Sequence, residues 1–130
     1  MPKLTHQIRE CIESRYGENR KFIIFPFGDV GVEVKYILNN VYGVTEAYIL
    51  DNHLCKYNSQ IKECSFLEKL NSKEYLLLLA STNIDIYDEL KKEVLRYFPV
   101  ESIAELSSMR AVEGKEEKYV TKIGINILNQ

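Results

Sequence analysis

Two short stretches hold the residue types best placed to do chemistry. Gly28-Asp29-Val30-Gly31 follows directly on the apolar run 21–27 (KFIIFPF), and Asp51-Asn52 closes a second run, EAYIL at 46–50. Glycines between a strand and a helix let the backbone come close to a phosphate. The helix N-terminus then stabilises that charge with free amides and its dipole. An acid at the tip of the next strand, about twenty residues on, accepts hydrogen bonds from ribose hydroxyls. In a dinucleotide-binding βαβ unit, Gly28 and Gly31 stand where the second and third glycines belong, and Asp51 stands where the ribose acid belongs. Pro26 replaces the first glycine; it fixes φ and has no amide hydrogen, which alters the turn.

A third apolar run, YLLLLA at 75–80, ends in Ser81-Thr82-Asn83. Its hydroxyls and amide border the crevice where strand order reverses in an open α/β sheet. The candidate nucleotide-binding residues are therefore Gly28, Asp29, Val30, Gly31, Asp51, Asn52, Ser81 and Thr82. Each has a plain structural alternative. Gly31 can serve close helix–strand packing, and Asp29 can cap the helix while its charge opposes a nearby phosphate. Asp51-Asn52 is also an ordinary strand-ending turn. Asn83 fits the cap of a helix starting near Ile84.

Other chemistry finds little support. Cys11, Cys55 and Cys64 are odd in number and lack metal-like spacing, so they read as buried or half-buried free thiols. His53 with Cys55 and Cys64 makes too few ligands for zinc. His6 and His53, the only histidines, read as solvated. Ser81, Cys55 and Cys64 have no identifiable histidine partner, and nucleophilic catalysis requires one. The carboxylates are scattered, so no glycosidase-type pair stands out. No catalytic residue and no metal site is assigned.

The elements that must position these residues are legible from periodicity. Leu4, Ile8, Cys11, Ile12 and Tyr16 share one helical face, with Gly17 as its stop. This helix lies outside the pattern that follows and is expected on the domain's flank or on a partner. Strand 21–27 leads into a helix with Val30, Val34, Ile37, Leu38 and Val41 on one side, stopped by Gly43. Strand 46–50 follows, then an edge strand at 61–64 and a short helix to about Leu70, with Ser65 and Glu68 as its capping box. Strand 75–80 precedes a helix with Tyr87, Leu90, Val94, Tyr97 and Phe98 on one face, ended by Pro99. Residues 100–106 supply the last strand. Continuous apolar strands alternating with helices imply a parallel sheet, of expected order 3-2-1-4-5.

Residues 21–106 resemble the small Rossmann-like domains of bacterial surface-polysaccharide and sugar-modification proteins. These are similar to the front domain of nucleotide-sugar epimerases and dehydratases, and relatives occur fused to acyl- or methyltransferases. The matching residues are 25–31, the helix through Leu38, 48–52 and 76–81. The resemblance implies NAD(P) or a nucleotide-sugar as ligand, through Gly28, Gly31 and Asp51. It also directs attention to the tyrosine-x-x-x-lysine pair of epimerase-type enzymes, a spacing that Tyr87 and Lys91 share. Their place early on the helix after the central strand makes Tyr87 more simply part of an apolar face.

At 130 residues, with 45% hydrophobic and 28% charged residues, the chain has the size and composition of one globular domain. Residues 1–20 are read as helix and linker, 21–106 as an α/β, Rossmann-like three-layer domain, and 107–130 as an extension. Within that extension EGKEEK reads as a loop, and 119–128 alternates like a strand. A net charge of −2, with mixed signs, argues against a nucleic-acid partner. The lack of an apolar run of about 18 residues argues against a membrane span, and the expectation is a cytoplasmic protein. Three functions fit: a nucleotide-binding accessory or regulatory module, a small epimerase-like oxidoreductase, or a ligand-free interaction domain. The first is preferred. A homo-oligomer or a partner catalytic domain would contact the leading helix and the terminal strand.

Overall fold

A computed structural model describes residues 3–14, 19–81 and 83–106. These form one parallel sheet from β1 (Lys21–Phe25), β2 (Tyr48–Leu50), β3 (Ile61–Lys62), β4 (Tyr75–Ala80) and β5 (Ile103–Leu106). The strand order is β3-β2-β1-β4-β5. The chain thus winds from β1 outward to β3, then returns to β4 on the other side of β1. The fold is α/β with a Rossmann-like sheet, in the order anticipated.

Central strands need apolar residues at every position because both of their faces are covered. β1 and β4 pair from Lys21↔Tyr75 to Phe25↔Leu79, and Leu76 to Leu79 are all at most 1% exposed. On one face Phe22, Ile24, Leu76, Leu78 and Leu106 meet α1 (Leu4–Glu13) and α2 (Asp29–Tyr36). On the other, Ile23, Phe25, Leu77, Leu79 and Ile103 meet α3 (Ile84–Leu95). Burying each such side chain stabilises the fold by roughly 1.5–3 kcal/mol. The leading helix therefore packs on the chain's own sheet: Leu4, Ile8 and Cys11 lie in the same core cluster as Val34 and Leu38 of α2.

Several local readings are corrected. The helix after β1 leaves α geometry at Ile37 and continues as a π turn over Ile37–Val41. The wider turn rotates Val41 off the apolar face, leaving it 53% exposed, so that face ends at Leu38. Gly43 then reverses the chain with φ +67°, where only glycine is unstrained. Ser65 caps nothing: its hydroxyl donates to Glu63, and residues Cys64–Lys69 form a 3-10 segment. β2, β3 and β5 are shorter than their apolar runs, and Val100–Ser102 is a 3-10 turn. The Gly17 stop and the strand at 119–128 lie outside the described residues. No described helix is long and apolar enough to cross a membrane.

Candidate functional site

At the C-terminal edge of the sheet the chain leaves β1 through a cis Phe25–Pro26 bond and enters α2 at once. Gly28 is the N-cap, extended at φ −92°. Asp29 is therefore the first helical residue and not the cap; its carboxylate sits at the positive end of the helix dipole. Gly31 must be glycine for packing, because a Cβ there would lie 2.3 Å from the Pro26 carbonyl oxygen. Around Gly28 a Cβ would meet nothing within 4 Å, so the turn is open on its outer side. The Val30 side chain is buried in the core under α2, which leaves only its backbone to face outward.

Across the sheet, β4 ends at Ala80 and α3 begins at Ile84. Ser81 is buried, and its hydroxyl accepts a hydrogen bond from the Asn83 amide at 3.1 Å. The Asn83 side chain caps α3 by accepting from the Asp85 amide, as its position before the apolar helix suggested. Between the two helix starts lies a cleft of about 330 Å³, with Pro26, Gly28, Asp29, Asp51, Ser81 and Ile86 on its walls. It opens between β1 and β4, the point at which the strand order reverses. Of the residues singled out in the sequence, Gly28, Asp29, Val30, Asp51 and Ser81 line it. Gly31 and Asn52 are not among its walls, and Thr82 falls outside the described residues.

Asp51 is only 9% exposed, and its carboxylate is occupied. Oδ2 accepts from the Phe27 amide at 3.0 Å; Oδ1 accepts from the His53 and Leu54 amides at 2.9 and 2.8 Å. It thereby ties the turn after β1 to the loop after β2. Asn52 points elsewhere. Its amide donates to both oxygens of Glu93 on α3, and its own oxygen accepts from the Cys64 amide at 2.7 Å. Two strand-ending polar residues thus act as links between elements.

Two further polar clusters escaped the sequence reading. On β5, Glu105 is 1% exposed and accepts from the Tyr87 hydroxyl and from Lys91 Nζ, the latter at 3.1 Å. Tyr87 and Lys91 therefore converge on a buried carboxylate under α3; neither lines the cleft. At the other end, Lys35 of α2 and Asn39 donate to Glu46, just before β2. Burial would raise the Glu46 carboxyl, but these hydrogen bonds outweigh it and hold it below its ordinary value. No helix covers the β2-to-β3 connection, only a 3-10 turn at Leu54–Lys56. That half of the sheet is left with a groove of about 410 Å³ over Phe27, Ile49 and Ile61.

The thiols are inert where buried. Burial pushes both Cys11 and Cys64 up to about 12, helped at Cys64 by the neighbouring Glu93 carboxylate. His53 is exposed and stacks edge-on against Tyr57, while His6 lies 3.6 Å from Glu10 on the outside of α1. Among the described residues no three His, Cys, Asp or Glu side chains come together as metal ligands would. No protein-family profile matches the chain, nor does any curated protein sequence or solved structure.

Proposed function

We propose that this chain is a binding module whose cleft between β1 and β4 takes a nucleotide-type small molecule, phosphate end toward α2. The observation that carries the reading is the position of the cleft. In open α/β sheets ligands bind beyond the carboxyl ends of the strands, at the switch point. The N-termini of α2 and α3 both border this cleft with their positive dipole ends; α3 is capped by Asn83, whereas α2 has no side-chain cap. A volume of about 330 Å³ lies at the small end of ligand sites, suited to one nucleotide more than to a whole dinucleotide. The resemblance to nucleotide-sugar proteins supplies the class: a nucleotide-sugar, or NAD(P) held by one of its two nucleotide halves, in a module serving sugar or polysaccharide modification. Binding is favoured over catalysis because, among the described residues, the walls of the cleft hold no histidine, lysine or cysteine beside Ser81.

The test is thermal denaturation with NAD, NADP, ADP and UDP-glucose, on the wild type and on Gly28→Ser. Serine is at least as good an N-cap as glycine, so the variant keeps the fold. Its side chain enters the open side of the turn and should abolish binding. A ligand at a hundred times its Kd adds about 2.7 kcal/mol to the wild type alone. No shift with any of the four overturns the nucleotide reading. A second reading, an interaction domain, draws on the groove over β2 and β3 and on the exposed Val32 and Tyr36 of α2. Sedimentation of the ligand-free protein distinguishes it.

A further inference from the structure

We infer that Asp51 positions the turn of the cleft and does not read a ribose, so that the site selects its ligand by the phosphate end. The inference deepens the nucleotide reading above and rests on it for the ligand, though not for the role of Asp51. A carboxylate offers about four acceptor positions. Three are filled by the amides of Phe27, His53 and Leu54, at 2.8 to 3.0 Å. A ribose diol needs two acceptors, and one remains, on a side chain only 9% exposed.

The three bonds have a directional consequence. Pro26 lacks an amide hydrogen, and the amide of Phe27, the next in the turn, is turned inward onto Asp51. The amides left to face the cleft begin at Gly28, at the start of α2. Oδ1 meanwhile holds the loop after β2, as an Asx turn does. One carboxylate, itself in the cleft wall, thus ties the turn that lines the cleft to the loop after β2.

Asparagine separates the two functions of this carboxylate. Its single oxygen can keep the two bonds from His53 and Leu54, but its NH₂ then faces the Phe27 amide, donor against donor. In Asp51→Asn, amide hydrogen exchange at Phe27 should accelerate at least tenfold, with His53 and Leu54 within about twofold of the wild type; in Asp51→Ala all three should accelerate. A Phe27 amide that stays protected in Asp51→Asn overturns the inference, whatever binds. The ligand arm compares ADP with 2′-deoxy-ADP on the wild-type chain, which needs no variant to fold. Equal affinity within about twofold is expected. A loss of tenfold or more for the deoxy form, as a charge-assisted hydrogen bond from the hydroxyl would give, overturns ribose-blind selection. Failure of both, with NAD, NADP and UDP-glucose failing as well, removes the nucleotide reading and leaves the exchange result to decide the role of Asp51.

Discussion

Replacing Gly31 by alanine sets two well-defined effects against each other. Within a helix, alanine is favoured over glycine by about 1 kcal/mol, so an unobstructed α2 would be stabilised. Here the added Cβ would stand 2.3 Å from the Pro26 carbonyl oxygen, 3.3 Å from its carbon and 3.4 Å from the Phe27 ring. The first distance is about 1 Å inside normal carbon–oxygen contact, and the atom struck is backbone, which cannot swing aside. Relief requires α2 to lift from the end of β1, opening the contacts that bury Val30 and Val34. Overpacking of this kind costs about 1–3 kcal/mol and occasionally more. Because the clash is severe, the upper end applies, and after the helix gain a net loss of about 1–2 kcal/mol remains. The assay is urea denaturation followed by circular dichroism: the midpoint falls while the slope is unchanged. Thermal melting should drop by roughly 5 °C per kcal/mol. A midpoint equal to or above the wild type would show that α2 does not seat this closely on β1, and the geometry of the whole turn would have to be redrawn.

Other consequences can be checked with equally simple measurements. Of the three thiols, Cys55 alone should react rapidly with a disulfide reagent in the native protein, since Cys11 and Cys64 are buried and pushed up to about 12; denaturation should release all three. Removing Glu105 should be costly and non-additive: Glu105→Leu takes away the carboxylate that accepts from the Tyr87 hydroxyl, so combining it with Tyr87→Phe should lose about 1 kcal/mol less than the separate losses summed. The Glu46 carboxyl is held below its ordinary value of 4.5, so its contribution is complete above that pH and fades as pH falls through the lower, folded value. Glu46→Gln should therefore show a shallower loss of stability below about pH 4.5 than the wild type, with a constant offset above it. Asn83→Ala removes the cap of α3 and should lower stability by about 1 kcal/mol, read from the same urea titration.

What could be read from residue type alone was what burial on both faces dictates. Beyond the exposed Lys21 that opens β1, β1 and β4 have no charged position to misplace, and the strand order was read around them. The first helix of the crossover was legible to Leu38 and then failed, because a π turn changes the period that the reading assumes. Ser65 and Glu68 had cap spacing, yet the Ser65 hydroxyl found Glu63 closer at hand. Glu105 was invisible for a different reason: IAEL looks like a strand with one polar side, and its partners Tyr87 and Lys91 come from a helix packed over it. The cleft was legible as a set of residue types at strand ends. The sequence could not show that the Asp51 carboxylate is already engaged, because all three of its donors are backbone amides, which every residue but proline has.

The missing helix between β2 and β3 bears on how the molecule comes apart. The centre of the sheet is held by apolar contact on both faces, which resists water everywhere at once. The β2–β3 half is held more by discrete polar links: Asp51 to the loop amides, Asn52 to Glu93, and Lys35 to Glu46. Such links are local and exchangeable with water, so this half should open in small, independent steps well below the free energy of global unfolding. The fold then has a hard seam along β1 and β4 and a soft margin beside it. The cleft lies on the seam, between β1 and β4, and the margin reaches it through one side chain, the Asp51 carboxylate.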